Sequence, residues 1–233
     1  MIKEPQPRSG GISELTTRRL SIYLRCLQIL EAAGVETVSS KELADQFHLN
    51  SAQFRKDLAY FGEFGVRGIG YRVPDLRRQL VEILGLDRKT RMAIIGAGNL
   101  GMALADYPGF NAEGFKVVAL FDSDSRKVGE TTRGGVQIRD VRDLVSFIND
   151  NKVDIAVLAV PARVAQAVLD QATGAGIQAV LNFVPARLTV PPHVRLNTVD
   201  LKVQVETLVF HLARQERQDN DAAASAHPHS QPT

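Results

Sequence analysis

The chain has 233 residues, of which 44% are hydrophobic and 23% charged, and its formal net charge is +2. This composition is typical of a globular protein with room for two small domains, and so small a net charge does not by itself indicate a nucleic-acid ligand. Because Cys26 is the only cysteine, the sequence excludes an intrachain disulfide and a multi-cysteine metal site, which favours a reducing compartment. We expect a cytoplasmic protein without a signal peptide, a membrane span or a bound metal.

The first part of the chain predicts helices. Between residues 13 and 33 apolar side chains recur at a helical period, at Leu20, Leu24, Leu27 and Leu30. Gly34 is a stop signal for this first helix. Ser39 and Glu42 have the spacing of a capping box and predict the start of a second, short helix.

A third helix and a glycine-rich segment follow. Ser51 can cap the helix, and one of its faces carries the apolar residues Phe54, Leu58 and Phe61. Segment 61–73 alternates glycine with aromatic and β-branched residues, which predicts a two-stranded hairpin, and Pro74 then starts a fourth helix. Helices followed by a hairpin in this order predict a winged helix-turn-helix domain.

The pattern changes near Arg91. Short apolar runs typical of buried strands alternate with helical segments, at 91–95, 115–122, 153–160 and 178–184. This alternation predicts an α/β domain of Rossmann type, with a doubly wound parallel sheet. A last helix is expected over 201–217, with an apolar stripe formed by Leu201, Val205, Leu208 and Leu212. The predicted segments are a flexible arm at 1–12, a winged-helix domain at 13–85, a Rossmann domain at 86–200, the last helix at 201–217 and a disordered tail at 218–233.

A glycine-rich motif comes directly after the first of these strands and opens a helix. It consists of Gly96, Ala97, Gly98, Asn99, Leu100 and Gly101. The first glycine allows a tight turn, the second lets the backbone approach a pyrophosphate, and the third lets helix and strand pack closely. The motif therefore predicts a dinucleotide site, and the alternative is a tight turn without a ligand.

Asp122 ends the next strand, about 20 residues beyond the glycines, where a carboxylate binds the adenosine ribose hydroxyls. A carboxylate would repel the 2′-phosphate of NADP(H), so NAD(H) is the expected ligand. Arg126 could attract such a phosphate, but Asp124 beside it weakens a phosphate pocket.

Other residues of the predicted site come from the remaining strand ends. Ligands of open α/β sheets lie beyond the carboxyl ends of the strands. We therefore expect the nicotinamide half near Val160, Pro161, Asn182 and Phe183. Tyr107, which follows the dinucleotide helix, could also reach the ligand.

The third helix and the hairpin suit DNA. The face opposite the apolar one, with its flank, carries amide, basic and aromatic side chains: Gln53, Arg55, Lys56 and Tyr60. Such side chains favour a recognition helix in a major groove. Arg67 lies beside Gly68 on a thin turn before Tyr71, and an arginine so placed can enter a minor groove. The alternatives are a solvated helix face and an ordinary loop.

An enzyme would need a proton-transfer group near the nicotinamide. The histidines fall elsewhere in the chain, at positions 48, 193, 211, 227 and 229. We expect no enzyme. Since Tyr107 could still serve as such a group, an NAD-dependent oxidoreductase remains an alternative, and so does a nucleotide-binding module that recruits a protein.

The chain resembles the redox-sensing transcriptional repressor Rex family over roughly residues 13–217. The residues that carry the resemblance are segments 55–71 (RKDLAYFGEFGVRGIGY), 96–110, with GAGNLG and ADYPGF, 121–129 (FDSDSRKVG), 160–161, 181–185 (LNFVP) and 197–200 (NTVD). The resemblance implies a homodimeric repressor that binds double-stranded operator DNA when NADH is scarce and leaves it when NADH replaces NAD⁺.

The resemblance also implies roles for individual residues. Arg55 and Lys56 would belong to the recognition helix and Arg67 to a minor-groove wing. Tyr107, Asp200 and Arg25 resemble a network that changes partners with the redox state of the nicotinamide. The last helix would be domain-swapped, packing between the two domains of the partner.

Overall fold

The N-terminal part of the chain is mainly helical. The computed structural model describes residues 12–66, 68–111 and 114–225, and it divides between Lys89 and Thr90 into two compact units. The elements of the N-terminal unit are α1 (Glu14–Ala32), β1 (Thr37–Val38), α2 (Ser40–Phe47), α3 (Ser51–Phe61), β2 (Tyr71–Arg72) and α4 (Val73–Ile83).

Side-chain caps start the first three helices. Ser13 caps α1, and Ser39 with Glu42 forms the expected capping box of α2. Helix α3 is capped by Asn50 rather than by Ser51, since the side-chain oxygen of Asn50 accepts the backbone N–H of Gln53 at 2.9 Å. Asparagine is among the preferred N-cap residues because its short side chain reaches the unpaired N–H groups of the first turn.

One apolar core holds these helices together. It contains the predicted stripes of α1 and α3 and the inner face of α4, including Leu20, Leu27, Phe54, Leu58 and Leu80. A buried Leu or Phe side chain contributes about 1.5–3 kcal/mol relative to an exposed one. The core therefore fixes the position of α3 against α1 and α4.

The glycine-rich segment differs from the predicted two-stranded hairpin. Its strand β2 pairs antiparallel with β1, and within the described part of the segment a single bridge joins Val66 and Gly70. Gly70 has a φ of +102°, and a Cβ there would lie 2.6 Å from the carbonyl oxygen of Val38. Glycine allows this close approach, so β2 pairs with a distant strand and the segment closes on itself as a tight loop.

A six-stranded parallel sheet forms the centre of the C-terminal unit. The elements are β3 (Thr90–Ile95), α5 (Asn99–Ala105), β4 (Phe115–Asp122), β5 (Ile138–Asp140), α6 (Leu144–Asn151), β6 (Ile155–Leu158), α7 (Ala162–Gly174), β7 (Ala179–Asn182), β8 (Arg195–Thr198) and α8 (Leu201–Ser225), with short 3₁₀ turns at Pro108–Phe110 and Val141–Asp143. This confirms the predicted α/β class.

The strand order is β5-β4-β3-β6-β7-β8. The chain moves outward from β3 in one direction through β4 and β5 and then returns to the other side at β6, so the order reverses between β3 and β6. Open α/β sheets bind ligands at such a reversal, outside the carboxyl ends of the strands. Apolar clusters cover both faces of the sheet.

Strands β5 and β8 were not predicted. They are 3 and 4 residues long, and both lie at edges of the sheet. The sequence of β8, Arg195–Thr198, lacks the apolar run that marks a buried parallel strand. Edge strands need less burial, so their sequences give a weak signal.

Helix α8 runs to Ser225, beyond the predicted end at Arg217. Three alanines, at 222–224, lie in this extension, and alanine has the highest helix propensity. The remainder of the predicted tail and most of the predicted arm lie outside the described residues. Over the described ranges, no helix has the length and apolar character needed to cross a membrane.

Candidate nucleotide-binding and DNA-binding sites

The glycine-rich turn after β3 needs glycine at its first and last positions. A Cβ on Gly96, where φ is +110°, would clash with the carbonyl oxygen of Ala159, and a Cβ on Gly101 would overlap the carbonyl oxygen of Gly96. At Gly98 a Cβ would meet nothing within 4 Å, and this residue is exposed. The first and third glycines therefore serve packing, whereas the second leaves open space beside the backbone, as a pyrophosphate requires.

Asp122 closes this turn from the neighbouring strand. Its Oδ2 accepts the backbone N–H of Ala97 at 2.8 Å, and its Oδ1 accepts the N–H of Asp124 at 2.8 Å. Burial by itself would raise the pKa of Asp122, but these hydrogen bonds and the nearby Lys127 ammonium outweigh it, so the pKa lies below its ordinary value. The group is therefore a carboxylate at neutral pH.

Lys127 is a residue that the sequence analysis missed. Its Nζ donates to the carbonyl oxygen of Ala97 at 3.0 Å and to Oδ2 of Asp122 at 3.2 Å. Arg126, which the sequence analysis considered for a phosphate, instead pairs with Asp124 at 2.7 Å. No sequence motif marks Lys127, because its position beside the glycine-rich turn depends on the pairing of β4 with β3.

A cavity of about 210 Å³ lies at the carboxyl ends of β3, β4 and β6. Gly96, Asp122, Val160 and Pro161 line it together with the apolar side chain of Val141. Val160 and Pro161, expected beside the nicotinamide, line the same cavity as Asp122, although β4 and β6 flank β3 on opposite sides. The part of the dinucleotide that they contact stays a prediction.

Asn182 and Phe183 lie at the end of β7. Asn182 is fully buried, and its amide donates to the carbonyl oxygen of Val184 at 3.0 Å and to Oγ1 of Thr198 at 3.2 Å, while its Oδ1 accepts the N–H of Val184 at 2.9 Å. This side chain therefore holds the loop after β7 to β8. Phe183 is half-buried and packs on the same core cluster as Met92.

Asn99 and Leu100 begin α5, and both are exposed beside the open position of Gly98. Tyr107 follows α5 and is 47% exposed, with its ring edge-on to Phe110 at a centroid distance of 5.3 Å. A Cβ on Gly109 would lie 2.5 Å from the Tyr107 ring, so the glycine leaves room for this side chain.

Asp200 and Arg25 complete the predicted redox network. Asp200 caps α8, since its Oδ1 accepts the N–H groups of Lys202 at 2.9 Å and Val203 at 3.3 Å. Among the described residues no hydrogen bond joins Asp200 to Tyr107. Arg25 lies in the N-terminal unit, exposed on α1. The network therefore remains a prediction.

The outer face of α3 presents basic side chains. Lys56 is exposed, and so is Arg55, whose Nη1 donates to Oγ of Ser40 at 2.9 Å. The bond from Arg55 ties α3 to the start of α2, the arrangement expected of a helix-turn-helix. Tyr60 is half-buried, with its ring edge-on to Phe61.

A buried carboxylate lies beneath this face, and the sequence analysis missed it. Asp57 is 4% exposed and forms a bidentate ion pair with Arg19, whose Nε and Nη2 lie 2.6 and 2.8 Å from its two oxygens. Tyr23 donates its hydroxyl at 3.0 Å, and Gln53, a predicted DNA contact, donates Nε2 at 2.7 Å. Asp57 lies three residues after Phe54 and four before Phe61, on the apolar face of α3, so its helical position was the signal in the sequence that could have indicated its burial.

The loop before β2 forms one wall of a cavity of about 480 Å³, with Arg55 and Ser40 on other walls. Gly68 lies at its exposed tip with a φ of +84°. Tyr71 is half-buried, with its ring edge-on to that of Phe54 at a centroid distance of 5.4 Å, and burial raises its pKa. Its contact with DNA stays a prediction. The predicted wing residue Arg67 lies outside the described residues.

Metal ligands are not grouped in the described parts of the chain: no cluster of three or more His, Cys, Asp or Glu side chains is arranged to hold an ion. Cys26 is buried in α1.

Two family models match the sequence. One, described as "CoA binding domain", matches residues 87–186, and the other, described as "Putative DNA-binding protein N-terminus", matches residues 11–59. The first covers the glycine-rich turn and most of the parallel sheet, and the second covers most of the helix-turn-helix.

Curated and solved relatives extend this similarity to nearly the whole chain. The chain is 47% identical over 207 residues to the redox-sensing transcriptional repressor Rex of Pelotomaculum thermopropionicum, covering 89% of this chain and 97% of the relative. It is 38% identical to RSP, a Rex-family repressor, in a crystal structure with β-NAD⁺ and operator DNA, with a TM-score of 0.85 and coverage of 92% of this chain and 99% of RSP. For RSP with β-NADH the identity is 37%, the TM-score 0.81 and the coverage 91% and 99%. The chain therefore belongs to the Rex family of redox-sensing transcriptional repressors.

Proposed function

We propose that this protein is a redox-sensing transcriptional repressor that binds operator DNA through its N-terminal unit and is released when NADH replaces NAD⁺ in its C-terminal unit. The observation that carries the proposal is the turn at Gly96–Gly101, with open space beside Gly98 and the carboxylate of Asp122 bound to Ala97. This turn lies in the C-terminal unit, and the N-terminal unit of the same chain contains the helix-turn-helix. The RSP structures with NAD⁺ and operator DNA and with NADH support the same ligands.

NAD(H) fits the residues of the predicted site. The pyrophosphate would lie beside Gly98, Asn99 and Leu100, and the adenosine ribose beside Asp122. We assign Val160 and Pro161 to the adenosine end, since they line the same cavity as Asp122. Phe183 and Tyr107 stay predicted for the nicotinamide end, with Asn182 acting through the loop that it holds.

DNA binding is assigned to α3 and the loop before β2. Lys56 and Arg55 supply positive charge at an exposed helix face, which suits the major groove and the phosphates around it. Gly68 leaves the loop tip thin, and Arg67 beside it is the proposed minor-groove contact. Tyr71 supports the loop from within, through its ring contact with Phe54.

A homodimer is the proposed assembly. The apolar stripe of α8 is unusually exposed: Leu201, Val205, Leu208 and Leu212 are 60, 58, 63 and 61% exposed. Exposed apolar patches of this kind mark interaction surfaces. A second copy is the occupant that the family resemblance implies, with α8 packed between the two units of the partner.

Release from DNA requires that NADH bind the DNA-incompetent arrangement of the dimer more tightly than the competent one, because a ligand with equal affinity for both shifts no population. Half-sites on DNA tolerate little change in spacing. A change in the partners of Tyr107, Asp200 and Arg25 is the proposed link between the redox state and this spacing. The NAD(H) site is therefore proposed as a regulatory site and not a catalytic one. We also propose that the protein is cytoplasmic.

The proposal is tested by fluorescence anisotropy of a labelled palindromic DNA, selected from random sequence and titrated with the full chain. We expect tight binding that NADH abolishes and NAD⁺ spares. Lys56→Glu should lose DNA binding and keep NADH binding, whereas Lys116→Glu, an exposed lysine of the C-terminal unit, should change neither.

Two other results would favour the alternatives. NADH binding without DNA binding would indicate a module that recruits a protein, and turnover of NADH with an added substrate would indicate an oxidoreductase. Either result contradicts the proposed repressor.

A further inference from the structure

The carboxylate of Asp57 has its hydrogen-bonding capacity filled. Its Oδ1 accepts from Arg19 Nη2 at 2.8 Å and from Gln53 Nε2 at 2.7 Å, and its Oδ2 accepts from Arg19 Nε at 2.6 Å and from the Tyr23 hydroxyl at 3.0 Å. A carboxylate offers about four acceptor positions. Each is matched here by a donor, which locks the geometry of a side chain that is only 4% exposed.

This arrangement determines which end of the Gln53 amide faces inward. An ionised carboxylate only accepts hydrogen bonds, so Gln53 must turn its NH₂ group, and not its oxygen, towards Asp57. The ionised state is secure, because the hydrogen bonds from Arg19, Gln53 and Tyr23 outweigh the effect of burial and hold the pKa of Asp57 below its ordinary value. The orientation of an amide is otherwise ambiguous.

The fixed amide retains a defined set of groups for another partner. One N–H and the Oε1 of Gln53 lie outside the Asp57 network. Gln53 and Lys56 are three positions apart on α3, which places them on neighbouring positions of one helix face. Both line a cavity of about 250 Å³ between α3 and the start of α1, where Ser13, Thr16 and Arg19 form the other wall. An amide that offers one donor and one acceptor together matches the N7 and N6 groups of adenine in the major groove.

We propose that Asp57 is a positioning residue for base recognition, which fixes the amide of Gln53 so that it reads an adenine in the operator. The inference deepens the proposed function, on which it rests, by naming the base that one residue selects. Arg19 and Tyr23 act through Asp57, since they hold its carboxylate from α1. Lys56 supplies charge at the same face without selecting a base.

The first test measures the dissociation constants of the full-length protein for every single-base substitution in its selected half-site. We expect one adenine whose replacement weakens wild-type binding about tenfold, and Gln53→Met should remove this preference at that position alone. Gln46→Met, which changes an exposed glutamine of α2, should leave the whole profile unchanged. A Gln53→Met profile equal to that of the wild type would overturn the inference.

The second test addresses the positioning by Asp57. With Asp57→Asn, an amide replaces the carboxylate and can accept or donate, so the Gln53 amide loses its fixed orientation. We expect the ratio of dissociation constants that defines the adenine preference to fall about tenfold, so that the preference disappears. A uniform loss of affinity at all positions would show a purely structural role and overturn the inference.

An NMR measurement on the wild-type protein tests the hydrogen bond from Gln53 to Asp57, and it does not require Asp57→Asn to fold. In the ¹⁵N-labelled wild-type protein, one side-chain amide proton of Gln53 should resonate downfield of those of Gln46 and exchange more slowly with solvent. Gln53 amide protons that match those of Gln46 would overturn the inference. If the wild type binds no DNA while its Gln53 amide is protected as expected, the proposed function fails, and base reading fails with it.

Discussion

Oδ2 of Asp122 accepts the backbone N–H of Ala97 at 2.8 Å, so the carboxylate at the end of β4 is joined directly to the glycine-rich turn after β3. Asp122→Asn should weaken NADH binding about tenfold, or about 1.4 kcal/mol, because a neutral amide forms weaker hydrogen bonds to the turn and to a ribose. Discrimination against NADPH should fall as well, since the repulsive charge is gone. NADH and NADPH fluorescence titrations measure both, and Asp150→Asn, on the exposed side of α6, is the control. An unchanged NADH affinity would count against the assigned ribose contact.

Lys127 should moderate the choice between the two dinucleotides. Its ammonium lies 3.2 Å from Oδ2 of Asp122 and partly neutralises the charge that a 2′-phosphate would meet. We expect Lys127→Met to weaken NADPH binding about tenfold more than NADH binding, because the unpaired carboxylate repels the phosphate more strongly. The same titrations test this, with Lys116→Met as the control. Equal losses for NADH and NADPH would show that Lys127 does not influence selectivity.

Substitution of two glycines in the turn should affect different properties, with Gly101→Ala lowering the stability and Gly98→Ala lowering the NADH affinity. Gly101→Ala would drive a Cβ into the carbonyl oxygen of Gly96 and should destabilise the C-terminal unit by about 1–3 kcal/mol, as overpacking does. Gly98→Ala meets no atom within 4 Å, so it should keep the stability and lose NADH affinity, because the methyl group occupies the space for the pyrophosphate. Urea unfolding and NADH titration measure the two effects. A Gly98→Ala protein that binds NADH normally would contradict the assigned pyrophosphate position.

Gly109 should control the orientation of Tyr107. A Cβ at Gly109 would lie 2.5 Å from the Tyr107 ring, and this half-exposed ring can move away. We expect Gly109→Ala to reduce the difference in DNA affinity between the NADH and NAD⁺ complexes several-fold. The control is Gly174→Ala, which adds a methyl group in open space at the end of α7. If DNA release by NADH is unchanged in Gly109→Ala, Tyr107 does not take part in the switch.

Asp57 should make the N-terminal unit sensitive to acid. Its folded pKa is lower than its ordinary value, so it contributes stability above its unfolded pKa of about 3.9, and this stability is lost as the pH falls towards the folded pKa. Asp57→Asn should be less stable at pH 7 and show a shallower loss of stability in acid. An equally steep loss in the variant would assign the acid sensitivity to other groups.

Tyr23 makes the stability of the N-terminal unit sensitive to alkaline pH. Burial, with the hydrogen bond to Asp57, raises its pKa to about 12, so its contribution is complete below the unfolded pKa of about 10 and is lost between these two values. Urea unfolding followed by far-UV circular dichroism measures the stability over this alkaline range, in which ionisation itself quenches tyrosine fluorescence. Tyr23→Phe should remove the alkaline loss and leave the acid loss.

The sequence alone predicted the local elements well. The apolar periods of α1 and α3, the capping box at Ser39 and the buried runs of β3 and β4 depend on neighbouring residues, so they can be read from a short window. The glycine spacing and Asp122 also identified the nucleotide turn, because each glycine meets a local backbone requirement. Strands β5 and β8 escaped prediction, since short edge strands carry little apolar signal.

The tertiary structure decided which distant residues meet. Sequence could not show that β2 pairs with β1, that Val160 and Pro161 share a cavity with Asp122, or that Lys127 reaches Ala97, because each contact depends on the order of strands in space. Asp57 is the clearest example: its position in α3 is explicit in the sequence, but its burial follows from the packing of α1 against α3, which brings Arg19 and Tyr23 to its oxygens. A charge is stable inside a protein only when such partners are supplied, and only the folded chain supplies them.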